Sequence, residues 1–211
     1  MKILCHRGKW IKRVDQNSLE SFKRATSSGH GIETDIRDCD GELVISHDAP
    51  LKLGSITLID FLKVYSSSNV KPMLALNIKS DGLHEKLKSV LDRYGVTNYF
   101  VFDMSVPDTL AYMRLDMPFA ARLSEFEDAG RLLAKAKYVW LDAFESEWYT
   151  VELIEKLIAQ GKCVAIVSPE LHKRPHAALW MKLKTIRDMG QLFLCTDLIN
   201  EAEEVFNVEA N

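Results

Sequence analysis
No stretch of this chain is long and apolar enough to cross a bilayer, since none approaches the roughly 20 residues a membrane helix needs. Charge of one sign is also missing. Twenty-seven Lys+Arg face 30 Asp+Glu, and a net charge of −3 offers no general attraction to nucleic acid or to an anionic membrane, although local basic pockets remain available. The opening MKILC is too short for the apolar core of a signal peptide, so a reducing cytoplasm is the expected setting. Cys5, Cys39, Cys163 and Cys195 lack C-x-x-C spacing, and three of them lie in apolar runs where a thiol acts as a small core residue. No linker divides the chain. With 47% hydrophobic residues it can bury a substantial core, and residues 1–211 are expected to form one domain.

What is present is a strand–helix alternation. Short apolar runs rich in β-branched and aromatic residues occur at 3–5, 31–36, 73–78, 99–103, 119–123, 138–143, 163–168 and 192–196. Between them, apolar residues three or four apart predict helices at 18–28, 57–66, 83–94, 107–115, 125–136, 148–160, 176–189 and 199–206. Eight such units predict an α/β fold, a (β/α)8 TIM barrel, rather than an open doubly wound sheet. Polar residues recur where the predicted strands end: His6-Arg7, Glu33 and Asp35, Asn77 and Lys79, Asp103, Arg122, Asp142, Ser168 and Thr196-Asp197. In a parallel barrel those ends form the mouth where active sites are built.

After the second strand the repeat is interrupted. Asp40-Gly41 is a turn signal, and the alternating run that follows predicts an antiparallel hairpin. A two-residue turn would pair His47 with Thr34. A three-residue loop, Cys39-Asp40-Gly41 with Gly41 left-handed, would pair 47 with 33 and set His47 beside the acidic pair; this second register is the expectation, because that loop needs Gly at its last position.

The residues from His6 to Asp48 carry the chemistry. His6-Arg7-Gly8, Asn17, Glu33-Thr34-Asp35, Asp40-Gly41 and His47-Asp48 follow in order and supply two histidines and two carboxylates. Glu33 and Asp35 are two apart and share a strand face, where two carboxylates repel unless a cation lies between them. Oxygen donors suit Mg²⁺ or Ca²⁺ better than zinc. Imidazoles, with an unperturbed pKa near 6.5, serve as acid and base at neutral pH. His30, His84, His172 and His176 lack this context, and the first two are read as surface or core residues.

The motifs HRG at 6–8, NSLESFKRA at 17–25, ETD at 33–35 and DGELVISHD at 40–48 resemble the glycerophosphodiester phosphodiesterase family, within the wider superfamily of phosphatidylinositol-specific phospholipases C. The resemblance implies a (β/α)8 barrel, a divalent cation held by acidic residues, and His6 and His47 trading a proton during phosphodiester cleavage. It also implies a third ligand at the first position of an acidic-x-Lys motif. That motif here reads Asn77-Ile78-Lys79, so a neutral amide stands where the family has a carboxylate, and Asp103 at the next strand end is the nearest acid to help. Arg7 and Lys79 remain to hold phosphate oxygens.

Substrate choice falls to the later strands, where Arg122, Trp140, Asp142, Glu170 and His172 are the candidate pocket residues and SPELHKRP at 168–175 offers both signs of charge. The family's usual insertion after the hairpin has little room between Asp48 and Thr57. The leading expectation is a metal-dependent hydrolase of a small polyol or sugar phosphodiester, with no nucleic-acid partner and no stable membrane insertion. The alternatives are a phospholipase-like enzyme acting on a lipid head group, and a barrel that binds a phosphorylated ligand without turnover.

Overall fold
Strand β1 (Lys2–His6) opens the computed structural model, which describes residues 1–50 and 54–207. Its contacts divide the chain into two compact units. One is Cys5–Phe119, and the other is Met1–Leu4 with the described chain from Ala120 onward.

In the Cys5–Phe119 unit, α1 (Leu19–Ser27) leads into β2 (Gly31–Cys39), followed by β3 (Glu42–Ile45), β4 (Ile56–Thr57), α2 (Leu58–Ser67), β5 (Leu74–Ile78), α3 (His84–Arg93), β6 (Tyr99–Phe102) and α4 (Val106–Arg114). Strand β5 lies between β2 and β6, parallel to both. All five β5 residues, Leu-Ala-Leu-Asn-Ile, are buried, as a strand covered on both faces requires. Helices α1, α2 and α4 begin where hydroxyls satisfy free backbone N–H groups: Ser18 accepts from Ser21 N, Thr57 from Asp60 N and Ser105 from Asp108 N. Phe22 of α1 packs on Phe61 of α2 with ring centroids 4.4 Å apart.

The second unit continues with β7 (Ala120–Leu123), α5 (Gly130–Lys135), β8 (Tyr138–Leu141), α6 (Val151–Ala159), β9 (Cys163–Val167), a 3₁₀ turn (Pro169–His172), α7 (Ala177–Leu183), β10 (Leu192–Thr196) and α8 (Ile199–Phe206). Strands β7, β8, β9 and β10 pair in that order, all parallel. Helices α5 and α7 are shorter than the 125–136 and 176–189 periods predicted.

The hairpin register corrects the sequence expectation. Cys39 pairs with Glu42, so the turn is the two-residue one, with Asp40 at φ 49° and Gly41 at φ 80°. Both central residues adopt the left-handed region, which Asp tolerates, and the resulting type I′ twist matches that of the strands. Ser46 therefore meets Asp35, its N–H donating to the Asp35 carbonyl at 3.1 Å. His47 lies beyond the end of β3, in register with Thr34 and not with Glu33.

Candidate active site
The first turn after β1 is fixed by backbone geometry. Arg7 (φ 58°) and Gly8 (φ 88°) are both left-handed. Arg7 N–H donates to the Glu33 carbonyl at 2.9 Å, and the Arg7 carbonyl accepts from Asn17 N at 2.9 Å and Ser21 Oγ at 3.3 Å. A Cβ at position 8 would come within 2.4 Å of Ser21 Oγ, so only glycine fits. The spacing between HRG and NSLES thus closes one tight turn, with α1 backed against it.

That turn delivers His6 and Arg7 to the acidic pair of β2. Asp35 is buried and fully engaged: Oδ2 accepts from Asn17 Nδ2 at 2.9 Å and faces Arg7 Nε at 3.3 Å, while Oδ1 faces Lys79 Nζ at 3.3 Å. Asn17 is itself oriented by Thr34, whose hydroxyl donates to Asn17 Oδ1 at 2.8 Å. Glu33 is different. Its Oε2 is buried without a hydrogen-bond partner and lies 4.0 Å from His6 Nε2. Burial first, then the adjacent Asp35 charge, push the Glu33 carboxyl up to about 7, against the opposing pull of His6, Lys79 and Arg7.

Asn77 is the β5 residue paired with Asp35. Its amide nitrogen donates to Asp103 Oδ2 at 3.1 Å, which fixes the amide orientation, and its Oδ1 is left buried and without a hydrogen-bond partner. Asp103 holds this position in a left-handed conformation, φ 68°. Two hard oxygens, Glu33 Oε2 and Asn77 Oδ1, therefore lack the partner that burial demands, and a hard cation would supply it. No group of three or more His, Cys, Asp or Glu among the described residues is arranged to hold a metal.

His47 stands apart from this cluster in its surroundings. Its side chain is 47% exposed, and Nδ1 lies 2.8 Å from Asp48 Oδ1. Residues 51–53, part of the segment between Asp48 and Thr57, lie outside the described residues. Of the histidines read as structural, His30 is buried and His84 Nδ1 lies 3.4 Å from Asp108 Oδ1.

The candidate pocket residues all belong to the other unit, and Arg122, Asp142 and His172 are linked there through Phe144. His172 Nε2 is 2.8 Å from Asp142 Oδ1, and its ring meets Phe144 edge-on at 5.1 Å. Arg122 pairs with Glu127 and lies 5.8 Å over the Phe144 ring. Glu170 accepts from the hydroxyls of Ser168 and Thr196 and from Asp197 N. Trp140 is buried at 5% exposure. Asn17 is the residue that site selection from sequence missed; its place in the ordered motif was visible, but its direct bond to Asp35 was not.

Three solved structures share the architecture nearly end to end. A glycerophosphodiester phosphodiesterase from Agrobacterium tumefaciens str. C58 aligns with a TM-score of 0.72 at 16% identity, over 98% of this chain and 99% of that one. A phosphodiesterase from Oleispira antarctica, solved with the product sn-glycerol-3-phosphate, gives 0.70 at 16% identity over 98% and 97%. A glycerophosphodiester phosphodiesterase from Parabacteroides distasonis ATCC 8503 gives 0.69 at 18% identity over 98% and 96%. The fold is the (β/α)8 barrel. Among the described residues, β1, β2 and β5 to β10 alternate with the eight helices, while β3 forms the hairpin with the end of β2 and pairs in turn with β4. The chain resembles the glycerophosphodiester phosphodiesterases in structure. No protein-family model and no curated protein matches it.

Proposed function
We propose that the chain is a phosphoric diester hydrolase of glycerophosphodiester type, acting on a small polyol or sugar phosphodiester with a divalent cation, Mg²⁺ or Ca²⁺. The observation that carries this reading is the buried, unpartnered oxygens on Glu33, 4.0 Å from His6, and on Asn77, with two cationic side chains, Arg7 and Lys79, converging on Asp35. A simple structural cluster would satisfy its own oxygens, whereas a site that awaits a cation and an anionic ligand leaves some donors and charges underused. The Oleispira antarctica enzyme, which holds a glycerol phosphate product, supports a small-molecule substrate for the same architecture.

Glu33 and Asn77 would hold the cation directly, with Asp35 and Asp103 nearby to supply negative charge. When bound, the cation withdraws charge from a phosphoryl oxygen and stabilises the transition state. Arg7 and Lys79 take the remaining non-bridging oxygens, Arg7 by its two-pronged guanidinium and Lys79 as a point charge. One imidazole of His6 and His47 removes the proton of a substrate hydroxyl adjacent to the phosphate, whose oxygen bonds to phosphorus as the ester P–O bond breaks, and the other protonates the leaving oxygen, giving a cyclic phosphate that water then opens. The backbone at His6 is fixed by Trp10, whose indole N–H donates to the His6 carbonyl at 3.2 Å.

Purified protein should hydrolyse bis-p-nitrophenyl phosphate with Mg²⁺ or Ca²⁺ and stop on addition of chelator. Ligand binding without turnover under every cation would replace this reading with the non-catalytic barrel.

A further inference from the structure
Directly after the His6-Arg7-Gly8 turn the chain runs Lys9-Trp10-Ile11-Lys12-Arg13-Val14 before it returns to Asn17. Ile11 is 74% exposed and Val14 85%, the two most exposed large apolar side chains among the described residues. Lys12 and Arg13 are exposed between them. The only acid before Asn17, Asp15, is half-buried and is engaged by the backbone, accepting from Lys12 N–H at 3.1 Å, so the exposed side chains at 11–14 are two cations and two aliphatic groups.

The loop is held in place. Arg24 Nε donates to the Lys9 carbonyl at 2.9 Å, Trp10 N–H to the Gly8 carbonyl at 3.1 Å, and Asp15 N–H to the Lys12 carbonyl at 2.7 Å, closing a 3₁₀ turn at Arg13–Asp15. One exposed aliphatic residue needs no explanation. Two, three positions apart on a braced loop with basic residues between them and a half-buried Trp at the base, have the composition of an interfacial anchor: apolar groups enter the head-group region while cations meet lipid phosphates. On a chain whose net charge is −3, such a patch also sets orientation, because an anionic bilayer attracts this loop and not the protein as a whole.

We propose that the loop at residues 9–14 is a peripheral anchor for an anionic lipid surface. No helix among the described residues is long and apolar enough to cross a membrane, so the contact is reversible docking. The proposal stands apart from the hydrolase reading, since lipid binding is measured without turnover.

The test is flotation of the full chain with vesicles of phosphatidylcholine alone or mixed with phosphatidylserine, at low and high salt. Binding is expected on the mixed vesicles at low salt and weakened by high salt. Each surface cation is worth about fivefold in partitioning, so Lys12→Gln with Arg13→Gln should weaken binding about 25-fold. Ile11→Ser with Val14→Ser should weaken it about tenfold or more by removing the apolar groups. Because all four side chains point to solvent, thermal melts should stay unchanged, which separates lost docking from lost folding. Failure of the unsubstituted chain to float with mixed vesicles, or retention of full binding by either double variant, overturns the proposal.

Discussion
Glu33 bears the sharpest electrostatic conflict in the site, and its sign fixes a pH dependence. A carboxyl whose folded pKa is raised from 4.5 to about 7 holds its proton more tightly in the folded state. The stability this contributes is fully present below pH 4.5 and is lost as pH rises through about 7. Chemical denaturation in chelator should therefore show stability falling by roughly 3 kcal/mol at most across that window through this group. Glu33→Gln, which cannot ionise, should flatten that fall, and an equally steep slope in the variant would place its origin elsewhere. His6 belongs to the same cluster but acts in the chemistry. His6→Ala should lower kcat by roughly 10²–10⁴-fold with the melt unchanged, and near-wild-type turnover would remove His6 from the mechanism. His47 carries the same expectation, although its ring is tied to Asp48 and more exposed.

At the scale of elements, the turn that joins β1 to α1 is the most constrained part of the site. Gly8→Ala meets a left-handed φ of 88° and a Cβ position 2.4 Å from Ser21 Oγ, so either Arg7 or the start of α1 must shift. Left-handed strain alone costs on the order of 1–3 kcal/mol. A lower melting temperature together with lost phosphate affinity is expected, and a neutral variant would show that the turn is not rigid. The same turn shows what could be read from sequence. The spacing of HRG, NSLES and ETD pointed to one site, and the structure joins them through Arg7, Asn17 and Asp35. The strand and helix order was also legible, because β5 reads as a continuous apolar run and α1 as an amphipathic period. The hairpin register was not. Asp40 and Gly41 both accept left-handed dihedrals, so composition allowed two turns that differ by one residue, and a one-residue slip changes which β2 residue each β3 residue meets. The Asn77–Asp103 bond was hidden too, since it depends on how β5 and β6 end in space.

For the whole molecule, cation binding should appear as global stability. A ligand that binds only the folded chain adds about 2.7 kcal/mol at a hundred times its Kd, so Mg²⁺ or Ca²⁺ should raise Tm, most at pH above 7, where Glu33 is ionised. Asn77→Asp should enlarge that rise by adding a charged oxygen beside the cation, and an unchanged shift would remove Asn77 from the ligand set. The proposed phosphodiesterase chemistry is built from the end of β1 at His6, from β2 and from β5, all residues of the Cys5–Phe119 unit. Phosphorus NMR of a glycerophosphodiester incubated with the purified chain and Mg²⁺ or Ca²⁺ tests that claim most directly. The account predicts conversion of the diester signal to a phosphomonoester or cyclic phosphate, abolished by chelator and by Glu33→Gln; an unaltered diester signal with a folded, cation-loaded chain would contradict it.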